Sequence, residues 1–157
     1  MSELICYEAL KLIEKRLSQY ELIKKAVADC RADHNYNGKS GGKGKAFISD
    51  PTANEAVSNT TPLNSVVIEI DNKIIKIKKP EKWLELARAV FEHFAKNCSY
   101  SSKSIKMILY YKFIRHKNYN FICTKLEISK NKYYKELDKI LWFSLSYACQ
   151  IGLIKVR

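Results

Sequence analysis

YNFICTKLEISKNKYYKELDKIL, residues 119–141, decides how the rest of the chain is read. Its spacing predicts a short helix over 119–126, a turn of three to four residues, and a longer helix from 130. Ile122, Leu126 and Ile128 form the inward set of the first helix and the turn. Cys123 is small where the two helices must approach closely. Ser129 is a good N-cap, because its hydroxyl can accept an orphan backbone N–H of the second helix. Lys130, Asn131, Lys132, Tyr134 and Lys135 then fall on the outward side of its first turns. This is the layout of a helix-turn-helix, whose second helix enters the major groove of duplex DNA with its N-terminal residues toward the bases. Lysine and asparagine can read guanine and adenine edges, and lysines and the tyrosine hydroxyl can also hold phosphates. With Ser129 and these five, Arg115, Lys117 and Lys125 complete the residues expected at the DNA. The same spacing also suits an ordinary helical hairpin with a solvated basic face.

Charge favours the first of these. The chain has 157 residues with 28 Lys+Arg against 16 Asp+Glu, net +12. Residues 1–98 carry 16 basic and 13 acidic side chains, net +3, whereas residues 99–157 carry 12 and 3, net +9. Most of the excess therefore lies around the helix-turn-helix, where a polyanion would bind.

Upstream, residues 2–31 read as one long amphipathic helix capped by Ser2, with Ile5, Ala9, Leu12, Ile13, Leu17, Tyr20, Ile23, Val27 and Cys30 at helical spacing. That stripe fits packing within the chain or a homodimer through this helix. Residues 33–64 are loop-like, with one short helix expected in SDPTANEAV, Ser49–Val57, where Pro51 can take the first helical position. SVVIEIDNKIIKIKK, residues 65–79, reads as a β-hairpin turning at Asp71-Asn72 and needing a helix to pack on. Pro80 opens a helix to about Lys96, with Trp83, Leu84, Ala87, Val90, Phe91, Phe94 and Ala95 on one side. Helices follow at about 103–115, 119–126 and 130–151, and Gly152 is placed to end the last. The fold expected is mainly α, with one short hairpin and a C-terminal helix-turn-helix. The boundaries expected are 1–64, 65–98 and 99–157, the last two packing as one unit.

NGKSGGKGK, Asn37–Lys45, holds four of the five glycines. It is not a phosphate-binding loop. Asp33 stands where the first glycine of that motif belongs, Lys45 is followed by Ala46, and a helix rather than a strand leads in. A flexible connector remains, whose lysines can brush phosphates. Replacing Lys39, Lys43 and Lys45 is expected to weaken DNA binding uniformly across sequences. Replacing Asn131 or Lys132 is expected to change which sequences are preferred, and binding measured on two unlike duplexes separates the two behaviours.

Five scattered cysteines, Cys6, Cys30, Cys98, Cys123 and Cys149, argue against a disulfide framework or clustered metal ligands, and most read as small buried apolar residues. No leader peptide or membrane span is read, and the cytoplasm is the expected compartment. His34, His93 and His116 are dispersed, and Glu81, Glu85 and Glu92 share a helix as surface salt-bridging partners do. No enzyme, metal or cofactor is expected.

Taken in order, several segments resemble a known family. YELIKKAVADC, SDPTANEAV, KKPEKWLE, ILYYKF and LEISKNKYYKELDKIL resemble the phage and prophage late-gene transcription activators of the RinA and ArpU type. The tail is also similar to the region-4 helix-turn-helix of sigma factors. The likeness covers most of the chain. It implies a sequence-specific regulator of phage late genes in the bacterial cytoplasm at the nucleoid, with double-stranded DNA as partner. Contact with host RNA polymerase stays open. Three positions depart from the family pattern. Glu127 stands where Gly or His is usual in the turn. Lys135 replaces an arginine and loses its bidentate fork. Glu136 occupies an apolar position, with Leu137 one place late. A phage small terminase subunit recognising packaging DNA, and a module that holds RNA polymerase without binding bare DNA, are the rival readings. A monomer or dimer favours the activator and a ring favours the terminase. RNA binding is a weaker option, since no RNA-module pattern is present.

Overall fold

The computed structural model describes residues 2–37, 61–96 and 100–155. The chain is mainly helical with a single antiparallel two-stranded hairpin, as its periodicities predict. In order come α1 (Ser2–Ser18), α2 (Tyr20–Asn37), β1 (Ser65–Ile70), β2 (Lys73–Lys78), α3 (Pro80–Lys96), α4 (Tyr100–Leu109), α5 (Tyr119–Leu126) and α6 (Lys130–Gln150). A π-helical turn, Tyr110–Ile114, prolongs α4. Two compact units result: Met1–Glu21 with Lys82–Arg157, and Leu22–Glu81. The short helix expected at Ser49–Val57 and the glycine-lysine stretch beyond Asn37 lie outside the described residues.

The single helix expected over 2–31 is two helices. Ser18 Oγ donates to the Glu14 carbonyl at 3.0 Å, a back-bond that bends helices. The Gln19 N–H is shared between the carbonyls of Lys15 and Arg16, and the buried Gln19 amide accepts from Arg16 Nη1 at 2.7 Å. These bonds satisfy the chain where it leaves helical geometry. Arg16 Nε is buried with no partner, and burial pushes the guanidinium below its ordinary value.

In the larger unit, α1 buries Ala9, Ile13 and Leu17 and packs on α6 and the π turn. Leu12, placed on that stripe by its spacing, is exposed. The buried face of α3 is broader than expected: Leu86 joins Trp83, Leu84, Ala87, Val90 and Phe94, while Ala95 is exposed and Phe91 half-buried. Ile105, Ile108, Leu109 and Phe113 continue the core through α4 and the π turn. From α6 come Tyr133, Leu137, Ile140, Leu141, Leu145 and Ala148, the i, i+4, i+7, i+8 pattern that keeps one helix face inward.

In the smaller unit, Asp71 and Asn72 both take positive φ, 51° and 59°, as a two-residue hairpin turn with the right twist requires. The register pairs Val66 with Ile77 and Ile68 with Ile75, placing these four on one face of the hairpin. Val66, Ile68 and Ile77 are buried, as are Ile23 and Val27 of α2. Arg31 is salt-bridged to Glu81, whose other oxygen accepts from the Leu63 N–H. Cysteines depart from expectation: of the four described, Cys6, Cys30 and Cys123 are half-buried and Cys149 is exposed. Cys149 lies one position past the buried Ala148, outside the inward stripe.

Helices α5 and α6 end alike. Gly152, at φ 64°, donates to the Cys149 carbonyl while Leu153 donates to Ala148. Glu127, at φ 52°, donates to Thr124 while Ile128 donates to Cys123. Both are left-handed caps, a conformation glycine adopts without strain and glutamate does not. Glu127→Gly is therefore expected to stabilise the protein by about 0.5–1 kcal/mol. Glu127→Gln, which removes only the charge, should leave stability nearly unchanged. Urea unfolding of both variants checks this.

Candidate nucleic-acid interface

The two-helix unit predicted at residues 119–141 is built from local hydrogen bonds. Asn118 caps α5, its side-chain oxygen accepting from the Phe121 N–H at 2.9 Å. Glu127 turns the chain, and Ile122 and half-buried Ile128 face inward. Ser129 then caps α6, accepting from the Lys132 N–H at 3.2 Å. That bond gives Ser129 a structural role as well as its place at the expected contact surface. Tyr133 and Leu137 are buried, which fixes the rotation of α6 and turns Lys130, Asn131, Tyr134 and Lys135 to solvent. Lys132 is half-buried.

Burial also settles how Glu136 and Leu137 share the inward face. Both are buried, and the Glu136 carboxylate is held by Lys139 Nζ at 3.1 Å through each oxygen. A carboxylate at an apolar position is tolerated because a neighbouring cation one helical turn away supplies its charge partner.

The other expected contacts surround this helix start. Arg115 and Lys117 are exposed in the connection before α5, and Lys125 is exposed in its last turn. Cations and aromatic rings alternate across the surface. Lys130 Nζ lies 5.4 Å from the Tyr119 ring centre and 6.0 Å from that of Tyr134. Lys117 lies 5.4 Å from Phe121, and Arg115 lies 5.6 Å from Tyr110. Such contacts hold flexible cationic side chains near a common face while leaving their charge available to a polyanion.

Beneath the interface lies a network that the sequence did not reveal. Lys112, half-buried, forms an ion pair with Glu14 at 2.8 Å and faces the buried Tyr133. Burial alone would lower the Lys112 ammonium. The hydrogen bond and charge of Glu14, helped by Tyr133, outweigh it and hold the group above its ordinary value. Burial pushes the Tyr133 phenol up, and Lys112 opposes part of that rise. The network ties α1 to the residue that sets the rotation of α6. Its one signal in the sequence is a lysine inside the apolar run ILYYKF.

Among the described residues no group of three or more His, Cys, Asp or Glu side chains could hold a metal ion. No described helix is long and apolar enough to cross a membrane. No family model, curated protein or solved structure matches the chain.

Proposed function

We propose that this protein is a sequence-specific DNA-binding regulator of transcription, of the kind that activates phage or prophage late genes in the bacterial cytoplasm. The observation that carries the reading is the capped α5–Glu127–α6 unit. Its buried residues turn Lys130, Asn131, Tyr134 and Lys135 outward on the first turns of α6. A helix presenting its N-terminal side chains in this way fits the major groove. Arg115, Lys117 and Lys125 would hold the flanking phosphates, which fix register but carry no sequence information. Late-gene activation comes from the family resemblance, not from the geometry.

The test is fluorescence anisotropy of the intact protein with duplex from upstream of the phage late genes, beside a scrambled duplex, across a salt series. Tighter binding to the native duplex and a steep salt slope support the proposal. Equal or absent binding to both sinks it. Solution mass then separates the rival terminase, which assembles rings, from a monomer or a homodimer through the N-terminal helical segment. Ala9, Ile13 and Leu17 of α1 are buried within their own unit, so a homodimer would draw on the exposed Leu12 or Leu22 of the segment.

A contact with RNA polymerase has one observation in its favour. Trp142 is 54% exposed on α6, beyond the basic turns. Large aromatic side chains in such positions are common anchors for protein partners. Trp142→Ala should leave duplex affinity within about twofold while reducing transcription activation in a reconstituted assay, because the side chain lies outside the DNA-facing turns.

A further inference from the structure

A cleft of about 510 Å³ opens beside the first turns of α6, within the larger unit. That volume lies in the range of small-molecule sites, roughly 300–1,000 Å³. Four tyrosines line it: Tyr7 from α1, Tyr119 from α5, and Tyr133 and Tyr134 from α6. Lys11, Lys112 and Lys117 bring three ammonium groups to the same walls, and Glu14 and Asp138 bring carboxylates.

The chemistry of these walls narrows the occupant. Tyr133 is buried, but Tyr7, Tyr119 and Tyr134 leave ring surface open to solvent, Tyr7 at 57% exposure. The Tyr119 and Tyr134 ring centres stand 6.2 Å apart, planes tilted by 37°. Flat aromatic surfaces gathered in a concavity suit a planar ring, which stacks on them regardless of its identity. Lys112 is committed to Glu14, so that pair adds little net charge. Lys11, with its ammonium 4.4 Å from the Tyr7 ring centre, and Lys117 remain as cations at the walls. They favour an anionic group beside the ring. Asp138, exposed on α6, can accept from an exocyclic amino group. An aromatic cage for a cationic ligand would not carry these lysines. A wholly apolar ligand would bury ammonium groups without partners, at high cost.

We propose that the cleft binds one nucleotide unit, its base against the tyrosines and its phosphate on Lys11 and Lys117. This chemistry has two sources: a free nucleotide, which would make the cleft an effector site, or an unpaired base in the strand held by α6. The second source rests on the duplex-binding reading and the first does not.

The test uses the intact protein and the fluorescence of 2-aminopurine, which falls when the base stacks. One arm titrates free 2-aminopurine deoxynucleoside monophosphate. The other compares duplexes in which the same base is either paired or placed opposite an abasic site. Stacking within the duplex already quenches it, so the reading there is a fluorescence change on adding protein that the unpaired base shows and the paired base does not. A response is expected in at least one arm, and the arm that responds identifies the source. Tyr7→Ala is expected to weaken that response about tenfold, while Tyr7→Phe keeps it, because the ring and not the hydroxyl stacks. Both variants should bind a fully paired duplex as the parent does, since a paired base stays in the helix stack and leaves Tyr7 unused, and Tyr7 on α1 is not among the residues proposed to hold the duplex. No response in either arm, with paired-duplex binding intact, overturns the cleft and leaves the regulator standing. A response that Tyr7→Ala does not weaken also overturns it. Quenching by the free nucleotide without any duplex binding keeps the cleft and removes the regulator.

Discussion

Replacing Lys130, Lys132 and Lys135 together by alanine is expected to weaken duplex binding by about a hundredfold or more near physiological salt. The dependence of affinity on salt should become shallower at the same time. Each phosphate neutralised contributes roughly 0.9 to the logarithmic salt slope, so losing Lys130 and Lys135 from phosphates lowers it by roughly two. Lys132, expected at a base edge, adds to the lost affinity more than to the slope. Lys130 and Lys135 are exposed, and half-buried Lys132 lies outside the inward set of Tyr133 and Leu137. The unfolding midpoint should therefore move little, which separates lost binding from lost structure. A smaller change in slope would mean that Lys130 and Lys135 do not both touch phosphate. No change would place the DNA elsewhere on the protein.

The second large effect concerns stability. Lys112→Met leaves Glu14 without its cation and removes the charge that faces Tyr133. Both partners stay partly enclosed, and breaking one side of such a network is expected to cost about 2 kcal/mol. Pairing Lys112→Met with Glu14→Leu should recover part of that loss, because an apolar pair no longer strands a carboxylate. The network also sets a pH dependence. Lys112 and Tyr133 both hold their protons to higher pH when folded than when unfolded. Above the unfolded values, about 10.4 for lysine and about 10 for tyrosine, the folded state binds more protons than the unfolded one. Stability from both groups is thus present at neutral pH and is lost as pH rises through that range. Urea unfolding from pH 8 to pH 11 should show a decline that Lys112→Met makes shallower. An unchanged decline would mean that other groups govern it.

Local chemistry made much of the fold legible. Asp71-Asn72 specified its turn because those side chains tolerate positive φ, and the hairpin pairs across it. Ser129 and Gly152 marked the two ends of α6 for similar reasons, one supplying a cap oxygen and the other an unstrained left-handed residue. What escaped the sequence depended on contacts between distant residues or on competing hydrogen bonds. The break after Ser18 follows from bonds by Ser18 and Arg16 that helical spacing does not encode. The π turn at Tyr110–Ile114 sits inside a run that reads as ordinary helix. Lys112 and Glu14 lie far apart in the chain, and their pairing becomes visible only when α1 lies against the π turn. Tyr7 and Lys11 lie off the apolar stripe read for the first helix, and their place in the cleft depends on α6 being their neighbour.

Base preference decides whether the first turns of α6 read DNA sequence. The intact protein would be used to select binders from a library of duplexes with a randomised core, with Asn131→Ala run in parallel. One enriched motif is expected for the parent and relaxed preference at a single position for Asn131→Ala, since asparagine reads an adenine edge. Recovery of the library without enrichment, or an identical motif from both proteins, would contradict sequence reading by the first turns of α6.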